Sequence, residues 1–109
     1  MHPKTDDANR AALPVIIIPC ATGDAARLAS SVFGCIQNLM VAARSLGLGT
    51  TLTTVHTMKE DDVRRVLEIP ADVTTFAMIP VGYPTGRWGE AKRRPFDEVT
   101  YRDTWQNAF

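Results

Sequence analysis

The apolar positions in the first half of the chain fall into one short continuous run and one long periodic run. Residues 15–18 are all β-branched and have a proline on either side, at positions 14 and 19. This is typical of a strand buried on both faces and bounded by residues that cannot donate a hydrogen bond to a sheet. Between Asp24 and Leu46 there is no proline, and apolar residues recur at the spacing of one helical face. These are Leu28, Val32, Ile36, Leu39, Ala43 and Leu46. The pattern predicts a strand followed by a long helix.

The predicted helix has marked ends and a broad apolar surface. Asp24 is placed to cap its first turn, and Gly47 stands where a left-handed residue closes a helix. Phe33, Met40 and Val41 lie outside the apolar stripe, so this helix should be covered on several sides. A chain of 109 residues has little material for that. The helix is therefore either an internal core helix or the seam of a dimer, and its breadth favours the dimer.

The second half predicts shorter elements. Residues 50–55 are rich in threonine and β-prone, and Thr57 and Glu60 have the spacing of a capping box at the start of a helix. That helix carries a narrow apolar stripe and ends near Glu68 because a proline follows, so we expect it on the surface. Residues 74–80 predict a second strand.

Charge and cysteine content narrow the class of protein. Twelve Lys and Arg balance twelve Asp and Glu, so the chain lacks the strong field of a dedicated nucleic-acid or anionic-membrane binder. Cys20 and Cys35 have no zinc or disulfide spacing, and the longest apolar run is too short to cross a bilayer. The first residues do not resemble a secretory signal, so we expect none. We expect a cytoplasmic protein with a loose lead-in over residues 1–12 and one domain over residues 13–109.

The sequence carries no nucleophile and base pair, no carboxylate dyad and no cluster of metal ligands. His56 stands alone and is expected to be a partly exposed loop histidine. Gly47 and Gly49 follow a predicted helix and precede a predicted strand. A dinucleotide-binding loop has the opposite order, with its glycines between a strand and the start of a helix. The basic run at residues 92–94 is the strongest anion-binding feature. Composition alone favours the alternative, a solvated turn balanced by the acids after it.

Five blocks of the chain read SVFGCIQNL, AARSLGLGTTLTT, IPADV, IPVGYP and RRPFDEV and begin at residues 31, 42, 69, 79 and 93. In their order and spacing, these blocks resemble the C-terminal half of the FMN-dependent nitroreductase family. The resemblance runs from about Leu13 to Trp105. It implies an α+β fold with a central, mostly antiparallel sheet flanked by helices, assembled as a homodimer. In that fold residues 24–47 form a central helix at the dimer interface, and residues 96–105 form an extended arm on the partner subunit.

The resemblance also implies a chemistry. Family members transfer a hydride from NADH or NADPH to FMN and then pass electrons to nitroaromatic or quinone-like acceptors, so the cofactor carries the reactive atom. Backbone groups of the segment matching Thr53, Thr54 and Val55 address flavin N5. The family's basic phosphate contact matches Lys92, Arg93 and Arg94, which favours the anion-binding interpretation of that run. No catalytic side chain and no metal ligand is implied.

The chain departs from the family pattern at its start. Members carry an N-terminal half with an arginine-rich segment that grips FMN, and this sequence begins after it. We therefore expect weak flavin binding unless a homodimer or a complementing N-terminal half restores those contacts. The alternative is a non-enzymatic dimerisation or binding module with a derelict flavin site. A nucleic-acid binder that uses residues 87–96 is a weaker third hypothesis, since one basic run in a neutral chain gives it little support.

Overall fold

The computed structural model describes residues 14–109, which form five short strands, two α-helices and two 3₁₀ turns. The strands are β1 (Val15–Ile17), β2 (Cys20–Thr22), β3 (Gly49–Thr50), β4 (Val73–Thr75) and β5 (Ile79–Gly82). The helices are α1 (Ala25–Ser45) and α2 (Glu60–Val66), and the 3₁₀ turns are Val55–Lys59 and Phe96–Glu98. The predicted lead-in over residues 1–12 lies outside the described residues.

The strands form two small antiparallel sheets. In the first, β5 lies between β1 and β3, with Val15 opposite Val81 and Gly49 opposite Gly82. In the second, β2 pairs with β4. Every strand pairing within residues 14–109 is antiparallel, although the helices lie between strands in the sequence. Antiparallel sheets packed with helices are the α+β organisation predicted from the sequence.

Helix α1 begins and ends as the sequence predicts. The Asp24 carboxylate accepts a hydrogen bond of 3.1 Å from the backbone N–H of Ala26, which satisfies one of the free donors of the first turn. Gly47 has a φ of +79°, the left-handed conformation that glycine adopts without steric cost. These two local signals explain why the helix bounds are confirmed.

The hydrophobic core lies where α1 packs on the sheets. Ile36, Phe76, Ala77 and Ile79 are buried together, and Phe33 meets Phe76 edge to face with ring centroids 6.1 Å apart. Most of the predicted stripe of α1 contacts this core or is half-buried. The same helix also carries exposed apolar side chains, namely Phe33, Val41 and, just past its end, Leu46. The side of α1 that carries Phe33 and Val41 is therefore not fully covered by other residues within 14–109.

Two strand predictions need correction. Strand β1 exists, but Val15 and Ile16 are about half exposed, because within residues 14–109 β1 lies at the edge of its sheet and pairs only with β5. The predicted strand over residues 74–80 is two strands in different sheets. They are separated at residues 76–78, where Phe76 donates its backbone N–H to Pro19 at 3.0 Å. The chain crosses there from one sheet to the other.

The predicted capping box is also wrong. The Thr57 hydroxyl donates to the Thr54 carbonyl at 2.7 Å, residues 55–59 form a 3₁₀ turn, and α2 begins at Glu60 without a side-chain cap. The β-prone run before it forms a strand only at β3, followed by one isolated bridge between Thr53 and Met78. Helix α2 is a surface helix as predicted, since none of its residues is buried.

The C-terminal segment is more compact than the extended arm that the sequence predicts. It begins with the Phe96–Glu98 turn, and Tyr101 forms an isolated antiparallel bridge with Ala108. Phe96 lies against Phe109, with ring centroids 6.0 Å apart. The segment folds back on itself, and Phe96, Trp105 and Phe109 remain exposed. Among the described residues, no helix is both long and apolar enough to span a membrane.

Candidate functional site

The segment of residues 53–55 is held by hydrogen bonds on both of its ends. The backbone N–H and carbonyl of Thr53 pair with Met78 at 3.0 and 2.8 Å. The Thr53 hydroxyl accepts the N–H of Val55 at 3.1 Å, and the Thr54 carbonyl accepts both the N–H and the hydroxyl of Thr57, at 3.0 and 2.7 Å. These bonds fix the backbone direction through the segment.

One backbone donor of this segment has no acceptor within residues 14–109. It is the N–H of Thr54, a residue exposed to solvent between two bonded neighbours. The backbone donors of Thr53 and Val55 are both occupied. The structure therefore offers one oriented N–H at this point, available to an acceptor on a ligand.

The basic run at residues 92–94 lies in a stretch without regular secondary structure, and all three side chains are exposed. Arg94 is paired with Glu98, with 3.7 Å between Nε and Oε2. Lys92 and Arg93 make no hydrogen bond or ion pair with other described residues. Arg94 is thus partly balanced by an acid that follows it, as the solvated-turn interpretation expects. The donors of Lys92 and Arg93 remain open to an anion.

Trp88, which precedes the basic run in the sequence, packs against the segment that precedes Thr53. The Arg44 guanidinium lies 4.7 Å from the centre of the Trp88 ring, and a methyl group added at Gly49 would lie 2.7 Å from Trp88 Cη2. The indole ring therefore rests directly on β3, four residues before Thr53. No hydrogen bond or ion pair within residues 14–109 joins the two groups of predicted site residues to each other.

The expectation of a partly exposed loop histidine is wrong for His56. Its side chain is fully buried, 3.6 Å from Glu60 Oε2, and its Nε2 lies 3.0 Å from the hydroxyl of Thr75. The Thr75 hydroxyl in turn donates to Glu60 Oε1 at 2.6 Å, and Arg64 Nε donates to the same oxygen at 3.1 Å. Histidine and glutamate four residues apart face each other on a helical turn, so the sequence could have indicated the contact between His56 and Glu60. The contact with Thr75 could not be predicted in this way, because Thr75 lies on a distant strand.

Cys20 lies beside this polar cluster, directly opposite Thr75 in the β2–β4 pair. Burial raises the pKa of its thiol above the ordinary value of 9.0, the Arg64 charge lowers the pKa, and the Glu60 charge raises it. Cys20 thus favours the neutral thiol. In the described part of the chain, no three His, Cys, Asp or Glu side chains are grouped to hold a metal ion.

The comparison with protein families decides the ancestry, because the sequence pattern of the nitroreductase family matches residues 6–83. This chain belongs to the nitroreductase family. The match confirms the resemblance found in the sequence, and it includes the Thr53–Val55 segment and β5. The basic run lies beyond it, so the role of residues 92–94 is not part of the match.

The relatives of this nitroreductase-family chain include proteins named as NADH dehydrogenase/NAD(P)H nitroreductase. One, from Methanothermobacter thermautotrophicus, is 44% identical over 50 residues, which are 44% of this chain and 26% of the relative. A solved structure of that name from Bacteroides thetaiotaomicron aligns with a TM-score of 0.68 and 26% identity over 91% of this chain and 66% of the other. One from Parabacteroides distasonis has a TM-score of 0.63 and 27% identity, over 83% and 55% of the two chains. The chain spans less than two thirds of the length of these relatives.

Proposed function

We propose that this chain provides one part of an FMN site in an NAD(P)H-dependent oxidoreductase. The observation that carries the proposal is the Thr54 N–H, a backbone donor fixed on both sides and without an acceptor of its own in the described chain. The oxidised flavin ring presents N5 as an acceptor, so an oriented N–H is the group that matches it. Thr53 and Val55 would support the contact through their own hydrogen bonds.

The basic run supplies the second part of the proposal. The FMN phosphate is a dianion, and arginine binds such groups through paired N–H donors while lysine adds a point charge. Arg93 and Lys92 are exposed and unpaired among the described residues. Arg94 pairs only with Glu98, with 3.7 Å between Nε and Oε2, and both side chains are exposed to solvent. These three side chains are suited to hold the phosphate end of the cofactor.

The residues present fit FMN, and bound FMN would supply the hydride and electron transfer between NADH or NADPH and a nitroaromatic or quinone-like acceptor. The chain's own contribution is binding and orientation. Thr54 would set the position of the ring, and the basic run would hold the phosphate. No side chain of the described site is proposed as an acid or a base.

The site needs further protein surface, and we propose that a second copy of this chain or a complementing N-terminal chain supplies it. The uncovered side of α1, with Phe33 and Val41 exposed, is the surface we assign to the subunit contact. Burial of these apolar side chains is favourable at roughly 25 cal/mol per Å². The prediction that residues 96–105 reach the partner subunit remains a proposal.

The proposal is tested first by visible absorption of the purified chain before and after addition of FMN and desalting. A retained yellow band supports it directly. Where binding is too weak to survive desalting, an FMN titration followed by amide NMR should shift the Thr54 resonance and those of residues 92–94. Shifts confined to other residues, or none at millimolar FMN, would overturn the proposal and leave the non-enzymatic dimerisation module as the function of this chain.

A further inference from the structure

The hydrogen bonds around Thr75 determine where the hydrogen of the His56 ring lies. A hydroxyl has one hydrogen, and at 2.6 Å from Glu60 Oε1 the Thr75 hydroxyl donates it to that carboxylate. Toward His56 Nε2, which is 3.0 Å away, the same oxygen can only accept. His56 therefore carries its hydrogen on Nε2 and donates it to Thr75.

The other ring nitrogen agrees with this arrangement. His56 Nδ1 is buried and has no partner within residues 14–109. With the hydrogen on Nε2, Nδ1 holds only a lone pair. A hydrogen on Nδ1 would place an N–H in the interior without an acceptor, which is the more costly arrangement for a buried polar group.

The relay from His56 ties three elements together. It passes from the 3₁₀ turn at residues 55–59 to β4 through Thr75 and to the start of α2 through Glu60. It then continues through Arg64, whose Nη1 donates to the Pro70 carbonyl at 3.2 Å. The two hydrogen bonds of the Thr75 hydroxyl join β4 to the turn and to α2, so the relay fixes the turn relative to the sheet and the helix.

His56 is the buried anchor of the turn. Of the five residues in the Val55–Lys59 turn, His56 alone is buried, whereas Val55 and Met58 are exposed. The turn has no side-chain cap. Thr57, the residue after His56, holds the Thr54 carbonyl through two hydrogen bonds. The position of Thr54 thus depends on the turn, and the turn depends on the side chain of His56.

We propose that His56 is a positioning residue that orients the Thr54 backbone N–H through its Nε2 hydrogen bond to Thr75. The inference rests on the proposed function, in which Thr54 contacts a flavin acceptor. Volume alone does not account for a histidine here, because a leucine or phenylalanine would fill the space without burying a polar ring. The specific requirement is a donor at the position of Nε2.

Two amide substitutions separate a donor at that position from polarity in general. In His56→Gln the side-chain amide nitrogen lies near the place of Nε2, whereas in His56→Asn it lies near the place of Nδ1 and does not reach Thr75. We expect His56→Gln to retain the wild-type Thr54 amide resonance and FMN affinity. We expect His56→Asn to shift that resonance in the flavin-free protein and to weaken FMN by about tenfold, the change that corresponds to 1.4 kcal/mol.

A second pair of variants applies if His56→Asn does not fold. Thr75→Val keeps the volume and removes the hydroxyl, and Thr75→Ser keeps the hydroxyl. Only the valine variant should reproduce the shift at Thr54. Nitrogen NMR of the wild-type ring should show the hydrogen on Nε2. A hydrogen on Nδ1, or equal effects of the glutamine and asparagine variants, would overturn the inference.

These readouts also separate the inference from the proposed function. The ring tautomer and the Thr54 amide resonance are measured without flavin, so they test the positioning role by themselves. If the wild-type chain does not bind FMN but the asparagine and glutamine variants still differ at the Thr54 resonance, the proposed flavin site is wrong and the positioning role of His56 stands. If FMN binds normally and the Thr54 resonance is unchanged in both His56 variants, the flavin site stands and the positioning role is wrong.

Discussion

Arg44, at the end of α1, stacks on Trp88 and also hydrogen bonds to it. The guanidinium carbon lies 4.7 Å from the ring centre, and Nη2 donates to the Trp88 carbonyl at 3.4 Å. A cation over an indole face contributes about 0.5 to 1 kcal/mol at an exposed site. The contact fixes the ring over Gly49, so the irregular segment after β5 is attached to β3 by side chains rather than by sheet pairing.

We predict that Gly49→Ala destabilises the protein by about 1 to 3 kcal/mol. The added methyl carbon would lie 2.7 Å from Trp88 Cη2 and 3.1 Å from Cζ2, which is too close for either group to stay in place. Chemical denaturation measures the effect. Gly34→Ala on α1 is the matched control, because its methyl group would meet nothing within 4 Å, and it should stabilise the helix by roughly 0.5 to 1 kcal/mol.

The tryptophan is tested as the cause by repeating Gly49→Ala in a Trp88→Leu background. The cost of the added methyl group should fall sharply there, because residues in contact are not additive. An equal cost in both backgrounds would show that Trp88 does not limit the space at Gly49. Destabilisation by Gly34→Ala that depends on protein concentration would place that glycine in a subunit contact.

The accuracy of the sequence predictions follows from how local the deciding contacts are. Helix α1 was predicted with correct ends because Asp24 caps a residue two positions away and Gly47 closes the last turn by its own conformation. The break between β4 and β5 was missed because Phe76 bonds to Pro19 and Met78 to Thr53, and neither partner is near in sequence.

The role of Thr54 could not be predicted from the residue pattern, for a different reason. Thr54 is proposed to act through its backbone N–H, and such a contact does not require a particular side chain at that position. Its assignment came from the family resemblance alone, which also favoured a phosphate contact over a solvated turn for Lys92, Arg93 and Arg94. His56 was misjudged because its main partner, Thr75, lies nineteen positions away, although Glu60 is within one turn.

We predict that Arg93→Ala combined with Arg94→Ala weakens FMN far more than riboflavin, because only FMN carries the phosphate. Loss of two charge-assisted contacts, each about 1.5 to 3 kcal/mol, corresponds to at least a hundredfold loss of affinity. Fluorescence titration with both ligands measures it. Arg65→Ala, which removes a cation from the exposed face of α2, is the control and should affect both ligands little. Equal losses of FMN and riboflavin affinity would contradict the assignment of the basic run to the phosphate.

Glu98 should act against the phosphate site. Its carboxylate is 3.7 Å from Arg94 Nε, so it competes with an anionic ligand for the same guanidinium. We predict that Glu98→Gln strengthens FMN binding by a few-fold while riboflavin binding is unchanged, since an exposed ion pair contributes only about 0.2 to 1 kcal/mol. The gain should shrink as salt is added. A gain for riboflavin as well would point to a change in the fold of the segment.

We predict that the wild-type chain is a dimer and that Val41→Asp converts it to a monomer. Val41 is 58% exposed on the uncovered side of α1, and a carboxylate in an apolar contact loses its hydration without gaining a partner. Light scattering over a wide concentration range gives the mass. Val66→Asp on α2, at a residue that is 72% exposed, is the matched control and should leave the mass unchanged. A wild-type monomer at every concentration would refute the assignment of α1 to a subunit contact.

The last prediction concerns Cys20, which lies opposite Thr75 and beside the polar cluster of His56, Glu60 and Arg64. Burial and the Glu60 charge raise the pKa of its thiol, whereas the Arg64 charge lowers it. Glu60→Gln should therefore lower the pKa and speed alkylation by iodoacetamide at pH 8, because the thiolate is the reactive form. Arg64→Gln should slow it. Cys35, an exposed thiol on α1, serves as the internal reference in both variants, and faster alkylation of Cys20 in Arg64→Gln would contradict the prediction.

The same shift has a defined effect on stability. Since the folded state keeps the Cys20 proton to a higher pH than the unfolded chain, its contribution to the free energy of unfolding is full below the ordinary pKa of 9.0 and is lost as the pH rises through the folded value. Cys20→Ser, which does not titrate in this range, should lose less stability than the wild type above pH 9. Parallel stability curves for the two proteins across that range would show that the thiol has the same pKa folded and unfolded.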